Sequence, residues 1–168
     1  MALGNLDAFA ISAGGIVTVF SAENLRADVN AGGDVFASSI GEHETTIVSG
    51  GEVAVQTLGA SLKTTINAVE DVTAYSSGSV SASLLNSSTG STELVGLGAI
   101  ANVTLTSAED AWIFGGSDIT VPNLSSTSGG AFLIANGSVA NGIVTAATDA
   151  IALTGGTCLL YTSPSPRD

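Results

Sequence analysis

Basic side chains are nearly missing. Lys and Arg number three against fifteen Asp and Glu, giving a formal net charge of −12. A groove for nucleic-acid phosphates needs clustered cations, so DNA, RNA and anionic membrane surfaces are excluded as partners. Cysteine is absent from residues 1–157, which excludes a disulfide framework and a thiolate metal site there. Charged residues make up 11% and aromatics 5%, whereas apolar residues reach 45%. Disordered chains show the opposite balance, so a packed aliphatic core is expected. A membrane helix is missing too. Residues 119–148 carry no charge, but they hold Pro122, four Gly and many Ser, Thr and Asn, which do not suit a helix spanning hydrocarbon. No signal peptide is legible in MALGNLDAFAISAGG, which lacks a basic start and carries Asp7.

The end of the chain departs from this chemistry. CLLYTSPSPRD, residues 158–168, holds the one Cys, two of the three Pro and one of the three basic residues. It resembles a translated sequencing-library adapter, so residues 158–168 are expected to be a non-native, disordered tail. Residues 1–157 are then one repeat domain, a fragment of a longer protein.

What is abundant is glycine, 21 residues, and it recurs with a period. The segment TTIVSGGEVAVQTLGASLKTTINA returns to Thr-Thr-Ile after nineteen residues. Equivalent apolar anchors are Ile11, Val29, Ile47, Ile66, Leu85, Leu105, Leu124 and Val144, at intervals of 18, 18, 19, 19, 20, 19 and 20. Six residues on lie Val17, Val35, Val53, Val72, Ala111 and Ala150; eight on lie Val19, Ala37, Val55, Ala74, Ile113, Phe132 and Ala152. Fourteen or fifteen on lie Leu25, Leu62, Val80, Ile100, Ile119 and Val139. The pair at +6 and +8 has strand periodicity, and Gly recurs too often for helices. One unit cannot bury its apolar columns, but stacked units can. The sequence therefore predicts an all-β, right-handed parallel β-helix of about eight coils, roughly 35–40 Å long at the strand spacing. Drift of the period away from a strict eighteen favours the right-handed form over a left-handed hexapeptide solenoid. An antiparallel sandwich is the competing fold. The fifth unit fits worst, because Ser91 and Glu93 fall on its core columns. Either its strand slips by one, turning Leu94 inward, or the coil bulges.

Gly50-Gly51, the alternating strand after it, Gly59 and the return Thr64-Thr65-Ile66 resemble the nineteen-residue repeat of AIDA-type autotransporter adhesins. Gly14-Gly15, Gly32-Gly33 and Gly129-Gly130 repeat the first pair, while Leu58 stands where the family has a second Gly. The resemblance implies an extracellular β-helical passenger of a Gram-negative bacterium, acting in adhesion or self-association.

Three groups of residues invite a chemical role. Asp34, Glu52, Asp71, Asp110 and Asp149 precede the +6 strand in five units. Stacked carboxylates suit Ca²⁺, yet such residues commonly just cap turns, and the Ca²⁺-binding nonapeptide is absent. Arg26, His43 and Lys63 fall at +15, +14 and +16 of successive coils. Together they would form a small polar site with His43 as acid or base, or merely a surface ion-pair patch. Trp112 and Phe132 are expected to fill the solenoid; turned outward, Trp112 would be a sugar-stacking platform. Thr104-Leu105-Thr106 is the clearest Thr-x-Thr step of an ice-binding ladder, and it is not repeated in adjacent coils. No residue is assigned a catalytic, cofactor-binding or metal-binding role, and no cofactor is expected. The expected function is structural and adhesive, in a secreted or surface-displayed bacterial protein. Its partner would be a cell-surface or glycan ligand or another copy, and this segment would not insert in a membrane. The alternative is a polysaccharide-active β-helix enzyme, a lyase or hydrolase.

Overall fold

The computed structural model describes residues 4–120 and 122–162. It is all-β: twenty strands, every pairing parallel, in a twelve-stranded and an eight-stranded sheet that face each other across one core. The chain climbs as a β-solenoid of about eight coils. Each coil contributes a five-residue strand to the eight-stranded sheet and its remaining extended residues to the other. Residues 119–148 join this pattern, and no helix of the described residues is long and apolar enough to cross a membrane.

Alternation decides which side chains enter the core. Leu25–Ala31 and His43–Ser49 place every second residue inward. Parallel in-register pairing then sets like over like: Val17, Val35, Val53 and Val72 form one column, continued by Thr92, Ala111 and Ala131. Val29, Ile47, Ile66, Leu85, Leu105 and Leu124 form another. From Val17 and Val29 on, both columns are buried. Fully burying one such side chain stabilises the fold by about 1.5–3 kcal/mol. Hydroxyls occupy the corners, where a turn carbonyl lies within reach. Thr57 Oγ1 donates to the Gly41 carbonyl at 2.6 Å and Ser49 Oγ to that of Gly33 at 2.7 Å. Inside the core, the hydroxyls of Thr45 and Thr64 meet at 2.9 Å.

Beyond one extra residue between Thr57 and Leu62, the drift of the period has two structural sources. In the early coils Leu25–Ala31, His43–Ser49 and Ser61–Ala68 run unbroken. The strand then splits in three coils, as in Ser79–Ser81 and Leu84–Ser87, or Ile100–Ala101 and Thr104–Ser107, and runs on again in Val139–Thr145. The added residue is a left-handed corner: Ala82 has φ 46°, Asn102 has φ 54° and Asn141 has φ 58°. Asn tolerates this region better than other non-Gly residues.

The second source is a longer turn; in the fifth unit it gives the expected slip that turns Leu94 inward, and at Phe132 it corrects the expected register. Three residues separate Ser49 from Val53, but four separate Ser87 from Thr92 and Ser126 from Ala131. In both longer turns the serine Oγ accepts a glycine N–H at 2.9 Å, from Gly90 and Gly129 respectively. The same hydroxyls donate to the carbonyls of Glu70 and Glu109 in the coil beneath. The strand that follows slips by one. Thr92 and Leu94 are buried in place of Ser91 and Glu93, and Leu133 is buried in place of Phe132.

Cys158–Thr162, placed by the sequence in a disordered tail, runs as a strand parallel to Val139–Thr145. An unpaired strand edge templates whatever extended chain follows it, and Leu-Leu-Tyr-Thr suits a strand. Residues 163–168 lie outside the described residues.

Candidate functional site

The three basic-type residues do not converge. Register pairs Leu25 with His43 and His43 with Leu62, and it pairs Arg26 with Glu44 and Glu44 with Lys63. Neighbours on a strand point to opposite faces, so His43 enters the core while Arg26 and Lys63 stay outside. Glu44, adjacent to His43 in the sequence, is the centre of the outer group. Arg26 Nε and Nη2 donate to its Oε2 at 2.9 and 2.6 Å, and Lys63 Nζ donates to its Oε1 at 2.7 Å. Asp7 lies 3.8 Å from Arg26 Nη1. Hydrogen bonds from Lys63 and Arg26 hold the Glu44 carboxyl below its ordinary range, and Glu44 raises Arg26 in return. These side chains are well exposed, so the pairs add little stability. Beside them opens a shallow cavity of about 470 Å³, lined by residues that include Phe9, Arg26, Asp28, Glu44 and Thr46.

His43 is 1% exposed. Its Nδ1 lies 3.1 Å from Ser39 Oγ, and Nε2 has no partner. Burial pushes its pKa down to about 4, so the ring is neutral near pH 7. Turned into the core, it cannot exchange a proton with a substrate on the rod surface.

Carboxylates of the acidic column cap the coil that follows. Oδ1 of Asp34 accepts the Glu52 N–H at 3.1 Å, Oδ1 of Asp71 the Ser91 N–H at 2.8 Å, and Oδ1 of Asp110 the Gly130 N–H at 2.8 Å. The opposite corner uses the same device, which the sequence reading missed. There Asn24 Oδ1 accepts the Glu42 N–H at 2.8 Å and Asp118 Oδ1 the Ser138 N–H at 2.7 Å. The signal was present, since each of these residues stands one position before an inward apolar or small residue. Among the described residues no three His, Cys, Asp or Glu gather closely enough to hold a metal ion.

Trp112 and Phe132 stand on the outer face of the eight-stranded sheet, contrary to the expectation that they fill the solenoid. Ile113 and Leu133 occupy the interior there. Ring centroids of Trp112 and Phe132 lie 3.8 Å apart at 14°, and those of Trp112 and Phe114 lie 5.7 Å apart at 6°. Stacked along the rod, Trp112 and Phe132 cover each other's faces. A sugar platform needs an open ring face, which this stack withholds between them.

The twelve-stranded sheet presents a different surface. One outward column runs Ser12, Asn30, Val48, Asn67, Asn86, Thr106, Ser125 and Thr145, polar at every step but Val48. Thr104 stands between Leu84 and Asn123 in the next column, so no Thr ladder forms. Compared with protein-family models, curated proteins and solved structures, the chain matches none.

Proposed function

We propose that this chain is the structural and adhesive repeat region of a secreted or surface-displayed bacterial protein, of the kind AIDA-type autotransporter adhesins carry. One observation carries the reading: the polar column from Ser12 to Thr145 repeats amide and hydroxyl groups at the strand spacing along nearly the whole rod. Each group donates and accepts, and each contact is worth about 0.5–1.5 kcal/mol. A single contact is weak, but a rod presents many at once, so a repeating glycan or another cell's surface is held by their number.

The test is retention of glycan-bearing cells or particles on beads coated with the chain. The triple variant Asn67→Ala, Asn86→Ala, Thr106→Ala is expected to weaken retention roughly ten- to thousandfold, as three such contacts are lost. Retention unchanged in the triple variant, or absent with the native chain, contradicts the reading. New chain ends released from an acidic polysaccharide, and lost in Glu44→Gln, would establish the enzyme alternative instead.

A further inference from the structure

The outer face of the eight-stranded sheet is segregated from the rest of the molecule. Its eight strands offer two outward positions each, sixteen in all, and only Glu93 among them is charged. Six of the chain's eight aromatic residues stand there: Phe20, Phe36, Tyr75, Trp112, Phe114 and Phe132. Val95, Ile134, Ile151 and Leu153 complete an apolar half toward the C-terminal coils, with Ile151 at 43% and Leu153 at 58% exposure. An apolar patch of this extent on a chain of net charge −12 marks an interaction surface.

We infer that this face binds the same face of a second copy, with the two rods antiparallel. The inference specifies the self-association half of the reading above and rests on it. Size supports it. Eight strands at about 4.8 Å and five residues at about 3.3 Å give a footprint of roughly 600 Å² per copy. Two copies together bury about 1,200 Å², the lower bound of a stable specific interface. Charge supports it as well. Among the described residues the remaining acids lie on turns and on the other sheet, and charges beyond about 8 Å are largely screened at physiological salt. Period is the third support. In-register columns repeat at the strand spacing, and a second copy carries the same repeat on its own surface.

The one carboxylate chooses the orientation. Take a two-fold axis along the strands, between Val72–Ser76 and Thr92–Gly96, which sit at the middle of the eight. Trp112 then faces the partner's Ala54, and Phe114 faces the partner's Gln56. Ile134 faces the partner's Ser38, and Glu93 meets the hydroxyl of the partner's Thr73. Trp112, Phe114 and Ile134 thus oppose smaller side chains, Phe132 stacks on the partner's Phe36, Leu153 meets the partner's Phe20, and the one carboxylate gains a donor. A two-fold axis along the rod would set Trp112 against the partner's Phe114 and Glu93 against the partner's Val95. That strands a charge on an apolar group.

Sedimentation velocity of the native chain across its soluble concentration range is expected to show a one-copy to two-copy shift, with micromolar dissociation. The double variant Trp112→Ser, Phe132→Ser weakens dimerisation at least tenfold while keeping the far-ultraviolet spectrum and melting midpoint of a folded chain. Ala54→Trp, which sets an indole against the partner's Trp112 across the antiparallel interface, weakens it as well. Val48→Ser, on the opposite sheet, leaves it unchanged. A native chain that stays monomeric overturns the inference, as does a dimer indifferent to Trp112 and Phe132 or equally sensitive to Val48. The bead assay separates the two ideas. Monomeric protein that still retains cells sinks the dimer and keeps the adhesive reading, whereas a dimer that retains nothing does the reverse.

Discussion

Gly78→Ala is expected to lower the melting midpoint by roughly 6–12 °C, the equivalent of about 3 kcal/mol. A Cβ on Gly78 would stand 1.7 Å from the Ala60 oxygen, 2.7 Å from the Ala60 carbonyl carbon and 2.8 Å from the Gly59 oxygen. All three are backbone atoms of the coil beneath, so no rotamer change relieves the contact and the coils themselves must part. Backbone conformation is not the cause, because no described glycine has a positive φ. Gly14→Ala is the control. Gly14 lies in the first coil, nothing is within 4 Å of its added Cβ, and its midpoint is expected to hold or rise slightly through reduced freedom of the unfolded chain. A Cβ on the equivalent Gly32 or Gly50 would stand 2.7 or 2.5 Å from the carbonyl oxygen of Gly14 or Gly32 respectively. One turn sequence therefore gives opposite outcomes, according to whether a coil lies below it. Equal effects of Gly78→Ala and Gly14→Ala would show that stacking is not what selects glycine.

His43→Leu is expected to stabilise the fold and to flatten its response to acid. The folded ring titrates at about 4, against an ordinary 6.5. Above pH 6.5 the ring is neutral in both states and its titration costs nothing. Between 6.5 and 4 the unfolded chain binds a proton that the folded chain refuses, so stability falls as the pH falls, by about 2–3 kcal/mol at pH 4.5. Below 4 both states are protonated and the loss levels off. Leucine already occupies the same column on either side, at Leu25 and Leu62, so the site accepts an aliphatic side chain. The substitution removes a buried nitrogen without a partner, a gain of about 1 kcal/mol even at pH 7. Ser39 keeps the Gly41 carbonyl as acceptor at 3.4 Å. Urea unfolding of both chains at pH 7 and pH 4.5 isolates the effect, because the exposed carboxylates contribute alike to each. A gap between the two chains that does not widen toward pH 4.5 would contradict the burial of His43.

The columns were legible because they repeat. Val35, Val53 and Val72 stand out by spacing alone, and they lie buried in register. The sequence lost the register where alternation fails. Ala131-Phe132-Leu133-Ile134-Ala135 is apolar on both faces, so nothing in it says which residues turn inward. Only the extra turn residue after Ser126 decides it. The fifth coil was recoverable, since Leu94 is the apolar choice beside Glu93. His43 was misplaced for a subtler reason. Its charge class grouped it with Arg26 and Lys63, while its column, shared with Leu25 and Leu62, assigns it to the core. Aromatic residues misled by size: an interior already filled by Val, Ala, Ile and Leu leaves no room for Trp112. The left-handed corner was half legible, for Asn102 and Asn141 suit it and Ala82 gives no sign of it.

Spin-label distances test the stacked coil most directly. Asn30, Asn86, Thr106 and Ser125 stand in one outward column, at successive removes of three, four and five coils from Asn30. Labels paired with Asn30 should lie about 14, 19 and 24 Å away, rising by about 4.8 Å per coil. Distances that fail to increase along this series, as antiparallel strands returning across a sandwich would give, would contradict the solenoid.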